Sequence, residues 1–206
     1  MPLDFVTRSF PKISINDVPS DNAYRPIFYK AVNSKAKKTY RRISALIVGN
    51  RILDIGTGVG GNAAYLHKRG FDVKSLDVKD SSYFHELPTE MYPGDIFPYE
   101  DNSFDTAIII HVIHHAEDRL QLLREAKRVA KRVVIIEDTY RNLPEHLVIG
   151  TIDSVFNGEF YWHPYNKPEK WREIFKEEGW KVLHEECYSD LVYNFLYGRY
   201  VIFAIE

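Results

Sequence analysis

Residues 51–66 constrain this chain more than any other stretch. A short apolar run, Ile52, Leu53 and Ile55, is broken by one acid, Asp54. Glycines then recur at alternate positions, Gly56, Gly58 and Gly60, and Gly61 adds a fourth. The run that follows, Asn62-Ala-Ala-Tyr-Leu-His-Lys, suits a helix and is closed by Gly70. The pattern predicts strand, tight loop and helix. The loop reads G-x-G-x-G-G, without the G-x-G-x-x-G of dinucleotide sites and without the Lys-Ser/Thr of a phosphate-binding loop. Asp54, at the strand end, would repel a pyrophosphate and would suit a ligand carrying an ammonium group.

The segment Leu53-Asp-Ile-Gly-Thr-Gly-Val-Gly60 resembles the first strand and loop of the class I S-adenosylmethionine-dependent methyltransferases, in particular small-molecule enzymes with a type 11 domain. That resemblance implies a Rossmann-like α/β fold. Its sheet would be doubly wound, seven-stranded and mostly parallel, with an antiparallel last strand and an N-terminal helical cap. It also implies S-adenosyl-L-methionine as cofactor, with Asp54, Gly56, Thr57, Gly58 and Gly60 around its amino-acid end.

Downstream stretches agree in order. Residues 70–77 read as a helix exit and a second strand ending at Asp77, which makes a right-handed βαβ unit with the first. An acid there, roughly 20 residues past the loop, is placed to accept hydrogen bonds from both ribose hydroxyls. The family's matching acid does so, which puts Val78 beside the cofactor as well. Gly94-Asp95-Ile96 resembles the family segment that closes over adenine, with Asp95 accepting from the amino group and the Ile96 N–H donating to the ring. Residues 107–113 form a dense apolar run, as in a strand buried on both faces. By resemblance, His111 right after it touches the methionine part. Residues 119–130 predict a helix, residues 133–136 a fifth strand, and Glu137 and Asp138 fall at its carboxyl end, where open parallel sheets carry their ligand crevice.

The remaining chain frames that core. Residues 1–22, with three prolines, read as an arm, and residues 23–47 as one or two helices; together (1–48) they make an expected cap over a cofactor-binding core at 49–138. Residues 139–167 are expected to form a substrate lid, with a helix beginning near Pro144. Residues 168–206 supply a helix from Pro168 to Gly179, a sixth strand from about Lys181 and a last strand at 199–205, which the resemblance makes antiparallel and adjacent to the fifth.

Methyl transfer from a sulfonium needs alignment and exclusion of water, and a base only when the acceptor holds its proton tightly. His114 and His115 are candidates for that base, since imidazole titrates near neutrality. Packing and loop support is the plainer reading of the pair, and metal ligation with Glu137 or Asp138 a third. Adjacent histidines on a strand or loop are expected to point apart, which disfavours one ion held by both, so no metal is expected. Glu137, Tyr140, His163 and Tyr165 are candidate walls of the acceptor pocket. No Asn-Pro-Pro-Tyr-like stretch, which in the family marks enzymes acting on amino groups of bases or glutamine, follows the fourth strand.

Among 206 residues the formal net charge is −2, so no strong field favours nucleic acid. One cysteine, Cys187, fits a reducing compartment. No apolar run reaches a membrane-span length of about 20 residues and no signal peptide is evident, so a cytoplasmic monomer or homodimer is expected. The expectation is therefore methyl transfer to an oxygen or carbon nucleophile of a small molecule. A catalytically inactive member that still binds the cofactor is the alternative. Aminopropyl transfer from the decarboxylated cofactor is a third, suggested only by Glu137 and Asp138.

Overall fold

The structure, a computed structural model, describes residues 24–84, 86–157, 165–192 and 196–206. The expected arm at 1–22 lies outside these residues, as do His163 and most of the aromatic stretch around it.

Seven strands form one sheet in the order β3-β2-β1-β4-β5-β7-β6. They are β1 (Arg51–Ile55), β2 (Asp72–Asp77), β3 (Thr89–Met91), β4 (Phe104–Ile110), β5 (Ala130–Asp138), β6 (Val182–Val192) and β7 (Leu196–Ile205). Every pairing from β3 to β5 is parallel, while β7 runs antiparallel to both β5 and β6. This is the expected seven-stranded, doubly wound sheet with an antiparallel last strand. β3 is the strand that no sequence pattern marks, because three residues, half-buried or exposed, carry no period.

Burial follows the pleat. Alternate residues of a strand face opposite sides, and both sides are covered. Leu53, Ile55, Ile135 and Phe203 join one core with Leu123 of α3 (Arg119–Val129) and Trp171 and Phe175 of α5 (Pro168–Glu177). Ile52, Ile108, Val134 and Ile202 join the other with Ile43 of α1 (Tyr24–Ile43) and Leu66 of α2 (Gly61–Lys68). That double burial explains why β4 and β5 read as unbroken apolar runs. α3 starts where Asp118 accepts the N–H of Gln121 at 2.9 Å, and α5 starts on Pro168, whose missing N–H costs nothing in a first turn.

The chain leaves β1 toward β2 and β3, then crosses back to place β4 on the other side of β1. Such a reversal opens a crevice at the carboxyl ends of the strands, where open α/β sheets bind ligands. The 3-10 turn Ile113–His115 follows β4 there, and α4 (Leu143–Asn157) follows β5. Among the described residues, no helix is long and apolar enough to cross a membrane.

Candidate active site

The loop after β1 is held from beneath by its own acid. Asp54 is 1% exposed, and one of its oxygens accepts from the Thr57 hydroxyl at 3.0 Å and from the Ala63 N–H at 3.1 Å. Ala63 lies in the first turn of α2, whose N-cap is Gly60, so the carboxylate satisfies a helix donor that glycine has no side chain to reach. Burial pushes the Asp54 pKa up to about 7; the two hydrogen bonds oppose the shift, and the charge of Asp77 adds to it. The described bonds of Asp54 thus go to the loop itself.

Two glycines decide the loop's shape. Gly56 has φ +67°, and a Cβ there would meet the methyls of Val112, from the segment after β4, at 2.5 Å. Its N–H and that of Thr57 both donate to Leu76 O of β2. Gly58, at φ +52°, is the open side: a Cβ there would meet nothing nearer than Gly56 O at 4.0 Å. A ligand can therefore lie against bare backbone at Gly58.

Asp77, at the end of β2, is latched to this loop. Its Oδ2 accepts from Gly58 N at 2.8 Å and its Oδ1 from Lys79 N at 3.2 Å. A carboxylate offers about four acceptor positions, so each oxygen can still take a hydroxyl. Next along, Val78 is 60% exposed, and a Cβ at Gly94 (φ +105°) would come within ordinary contact of its methyl. Ile96 is 62% exposed, and its N–H donates to Asp95 Oδ1 at 2.7 Å. The amide expected to reach a ring nitrogen is thus turned to its neighbour's carboxylate in this structure. Two large apolar side chains left bare at the strand ends still make a surface suited to a flat ring.

The ends of β4 and β5 carry two acid–imidazole pairs. His111 has φ +57°, an uncommon conformation for a residue with a Cβ. It is held by His111 N donating to Ile136 O at 2.8 Å, by its ring Nδ1 at 2.7 Å from Asp138 Oδ2, and by an edge contact with Tyr200. Burial pushes the Asp138 carboxyl up, but charge and hydrogen bonding from His111 outweigh it and leave the group below its ordinary value. Glu137 and Asp138 are successive residues and face opposite sides of the sheet.

Glu137 is 1% exposed, and both of its oxygens are engaged. Its Oε1 accepts from Val112 N at 2.9 Å and Ile113 N at 2.7 Å, and its Oε2 lies 2.6 Å from His114 Nδ1. It anchors the turn after β4 and orients the buried His114 ring at once. His114 and His115 do not point apart, as expected of neighbours in extended chain. Their ring centroids are 4.1 Å apart, because both sit on a 3-10 turn. One ligand atom from each of His114, Glu137 and Asp138 falls within 4.8 Å of the others, but both Glu137 oxygens already serve N–H donors.

Tyr165, 5% exposed, lies 5.1 Å from the His114 ring. His146 of α4 meets Tyr165 edge-on and stacks on Tyr140 at 4.1 Å. Tyr140 and Tyr165 are therefore joined to His114 through one ring series. His146, its middle member, carries no sequence signal: a single histidine in an apolar helix reads as packing. Val112, which fixes Gly56, is equally silent.

Residues 53–136 match the methyltransferase domain family. A ubiquinone/menaquinone biosynthesis C-methyltransferase of Geobacter sp. (strain M21) is 30% identical, over 52% of this chain and 55% of that protein, so the match spans about half of the relative. A demethylmenaquinone methyltransferase of Thermotoga maritima is 25% identical over 77% of this chain and 83% of its own length. Among solved structures, a SAM-dependent methyltransferase from Archaeoglobus fulgidus superposes with a TM-score of 0.65 at 18% identity, covering 89% of this chain and all of that one. With the glycine loop, the acid after β2 and the strand order already described, residues 53–136 carry a match to the methyltransferase domain, and the sheet around them has the fold of S-adenosylmethionine-dependent methyltransferases.

Proposed function

We propose that this protein transfers a methyl group from S-adenosyl-L-methionine to a small molecule with an oxygen or carbon nucleophile. One observation carries the reading: two carboxylates from neighbouring strands, Asp54 and Asp77, are tied to the same glycine loop at the point where strand order reverses. The cofactor's amino-acid end lies along Gly56, Thr57, Gly58 and Gly60, with its ammonium toward Asp54. Asp77 takes the ribose hydroxyls. Val78 and Ile96 flank adenine, and Asp95 gives up the Ile96 amide to it. His111 meets the methionine chain.

When bound there, the cofactor supplies a methyl carbon already activated by the sulfonium charge. The chain's own part is to align the acceptor and keep water out. Glu137 is an acceptor only, so the proton on His114 belongs on Nδ1, and Nε2 is the ring nitrogen able to take a proton from the acceptor hydroxyl. Glu137 would then stabilise the imidazolium. His115 supports the same turn. Tyr140, Tyr165 and His163, the last outside the described residues, wall the acceptor, and residues 139–167 act as a lid. One similar protein is named as a ubiquinone/menaquinone biosynthesis C-methyltransferase and another as a demethylmenaquinone methyltransferase, which favours an aromatic acceptor.

Calorimetric titration with S-adenosyl-L-methionine and with S-adenosylhomocysteine tests the binding half. Micromolar affinity is expected, and Asp77→Ala should weaken it at least tenfold, about 1.4 kcal/mol. Equal affinity in the variant would remove the ribose role. His114→Ala should slow turnover by roughly a hundredfold or more, the usual range for a lost general base; a change under tenfold would leave the ring a packing role.

A further inference from the structure

A second feature lies on the same face of the sheet as Glu137 and His114. A cavity of about 250 Å³ opens between α4 and the β6–β7 pair. Pro144, Val148 and Ile149 give it an apolar wall, and Ser189, Gly198 and Arg199 form the opposite side. Val201 pairs with Glu137, and Arg199 precedes it by two residues, so Arg199 shares the Glu137 face roughly 7 Å further along the strand.

The charges in this cavity are unevenly matched. Arg141 is committed to Glu145, which accepts from its Nε at 2.8 Å, from its backbone N at 2.8 Å and from its Nη2. Arg199 is half-buried, and among the described residues its guanidinium makes no hydrogen bond or ion pair. The field it exerts is visible at Glu145, whose carboxyl is held below its ordinary value chiefly by Arg141 and more weakly by Arg199. A planar cation with five donors, beside apolar side chains and with one net positive charge among three ionised groups, matches a carboxylate on a hydrophobic body.

We infer that this cavity receives the carboxylate end of an apolar methyl acceptor, with Arg199 as its counter-charge. The inference rests on the methyl-transfer reading for the word acceptor. Its chemistry is that of remote binding energy: a fork-to-carboxylate contact away from the reacting atom fixes the acceptor's direction toward the β4–β5 ends. Arg199 is then a specificity residue, and no proton moves through it.

The test compares 2-naphthoate with 2-naphthamide, which has the same body without the charge, by calorimetry on the cofactor-free protein. Naphthoate should bind about tenfold more tightly, as a single charge-assisted contact allows. Arg199→Gln should reduce that preference to within about twofold, and Arg199→Lys should keep part of it. Val148→Trp, at a half-exposed helix position, should fill the cavity and weaken both probes. Equal binding of the two probes to the native protein, a preference that survives in Arg199→Gln, or unweakened binding to Val148→Trp would each overturn the proposal. A protein that holds naphthoate through Arg199 but takes up no S-adenosyl-L-methionine would sink the methyl-transfer reading and leave the anion cavity standing.

Discussion

Folding keeps a proton on Asp54 up to about pH 7, whereas an unfolded aspartate loses it near its ordinary value of 3.8. Between those limits the folded chain binds more protons than the unfolded one, so this residue's contribution to stability falls as pH rises. Below pH 4 both states are protonated and above about 7 both are ionised, so the slope is confined to that window. At 1.36 kcal/mol per pKa unit the full span is roughly 4 kcal/mol. Asp54→Asn can still accept from Thr57 and Ala63, so denaturant melts should show it more stable than the native protein at pH 8 and equal at pH 4. Parallel pH curves for the two proteins would contradict the burial argument. Glu137→Gln tests the other buried carboxylate: an amide can keep accepting from Val112 and Ile113 but carries no charge to pair an imidazolium. Turnover should fall at least tenfold, with kcat affected more than KM. An equal loss with His114→Ala present would show that Glu137 does not act through the ring. Asp77 was legible in the sequence from its spacing past the loop, and Asp54 from its place before it. The His111–Asp138 and His114–Glu137 pairings were not. They depend on β4 and β5 pairing at Ile110 and Ile136, a register that no local pattern encodes.

At the scale of elements, α3 reaches across to the segment that ends in the exposed Ile96. Arg128 Nη1 donates to Tyr99 O at 2.7 Å and Nη2 to Phe97 O at 3.1 Å, while both Nε and Nη2 bond Glu125. Glu125 is 6% exposed and also accepts from Phe97 N at 2.8 Å. The helix thereby sets where residues 94–99 lie. Arg128→Ala would leave a buried carboxylate without its cation and two carbonyls without donors. A loss of about 3 kcal/mol is expected, in line with breaking a buried pair by removing one partner. Thermal melts read the stability term, and weaker cofactor binding by calorimetry reads the shifted segment. Unchanged affinity in a folded variant would separate α3 from the site. β4, β5 and α5 could be read from apolar runs and from Pro168, since double burial and a first-turn proline leave marks in the chain. The limit of α1 at Ile43 rather than near residue 47, and the existence of β3, could not: both are settled by what packs against them.

Over the whole molecule, the crevice is made by elements from both wings of the sheet: β1 and β2 with the glycine loop, and β4 and β5 with their acid–imidazole pairs. A ligand spanning them couples the two wings, because it binds only when both are in place. It should therefore stabilise the molecule as a unit rather than one part of it. At a hundredfold excess over Kd the gain is about 2.7 kcal/mol, and in a chain of this size a melting point rises by roughly 2–4 °C per kcal/mol. S-adenosylhomocysteine should thus raise the melting point by about 5–10 °C in one cooperative transition, by scanning calorimetry. Asp77→Ala should lose most of that rise while melting, without ligand, near the native temperature, since its own bonds go to two loop amides, the half-buried Gly58 and the exposed Lys79, that water can reach once the side chain is gone. Two transitions, with only one shifted by the ligand, would mean that the wings unfold separately and that the crevice is carried by one of them alone.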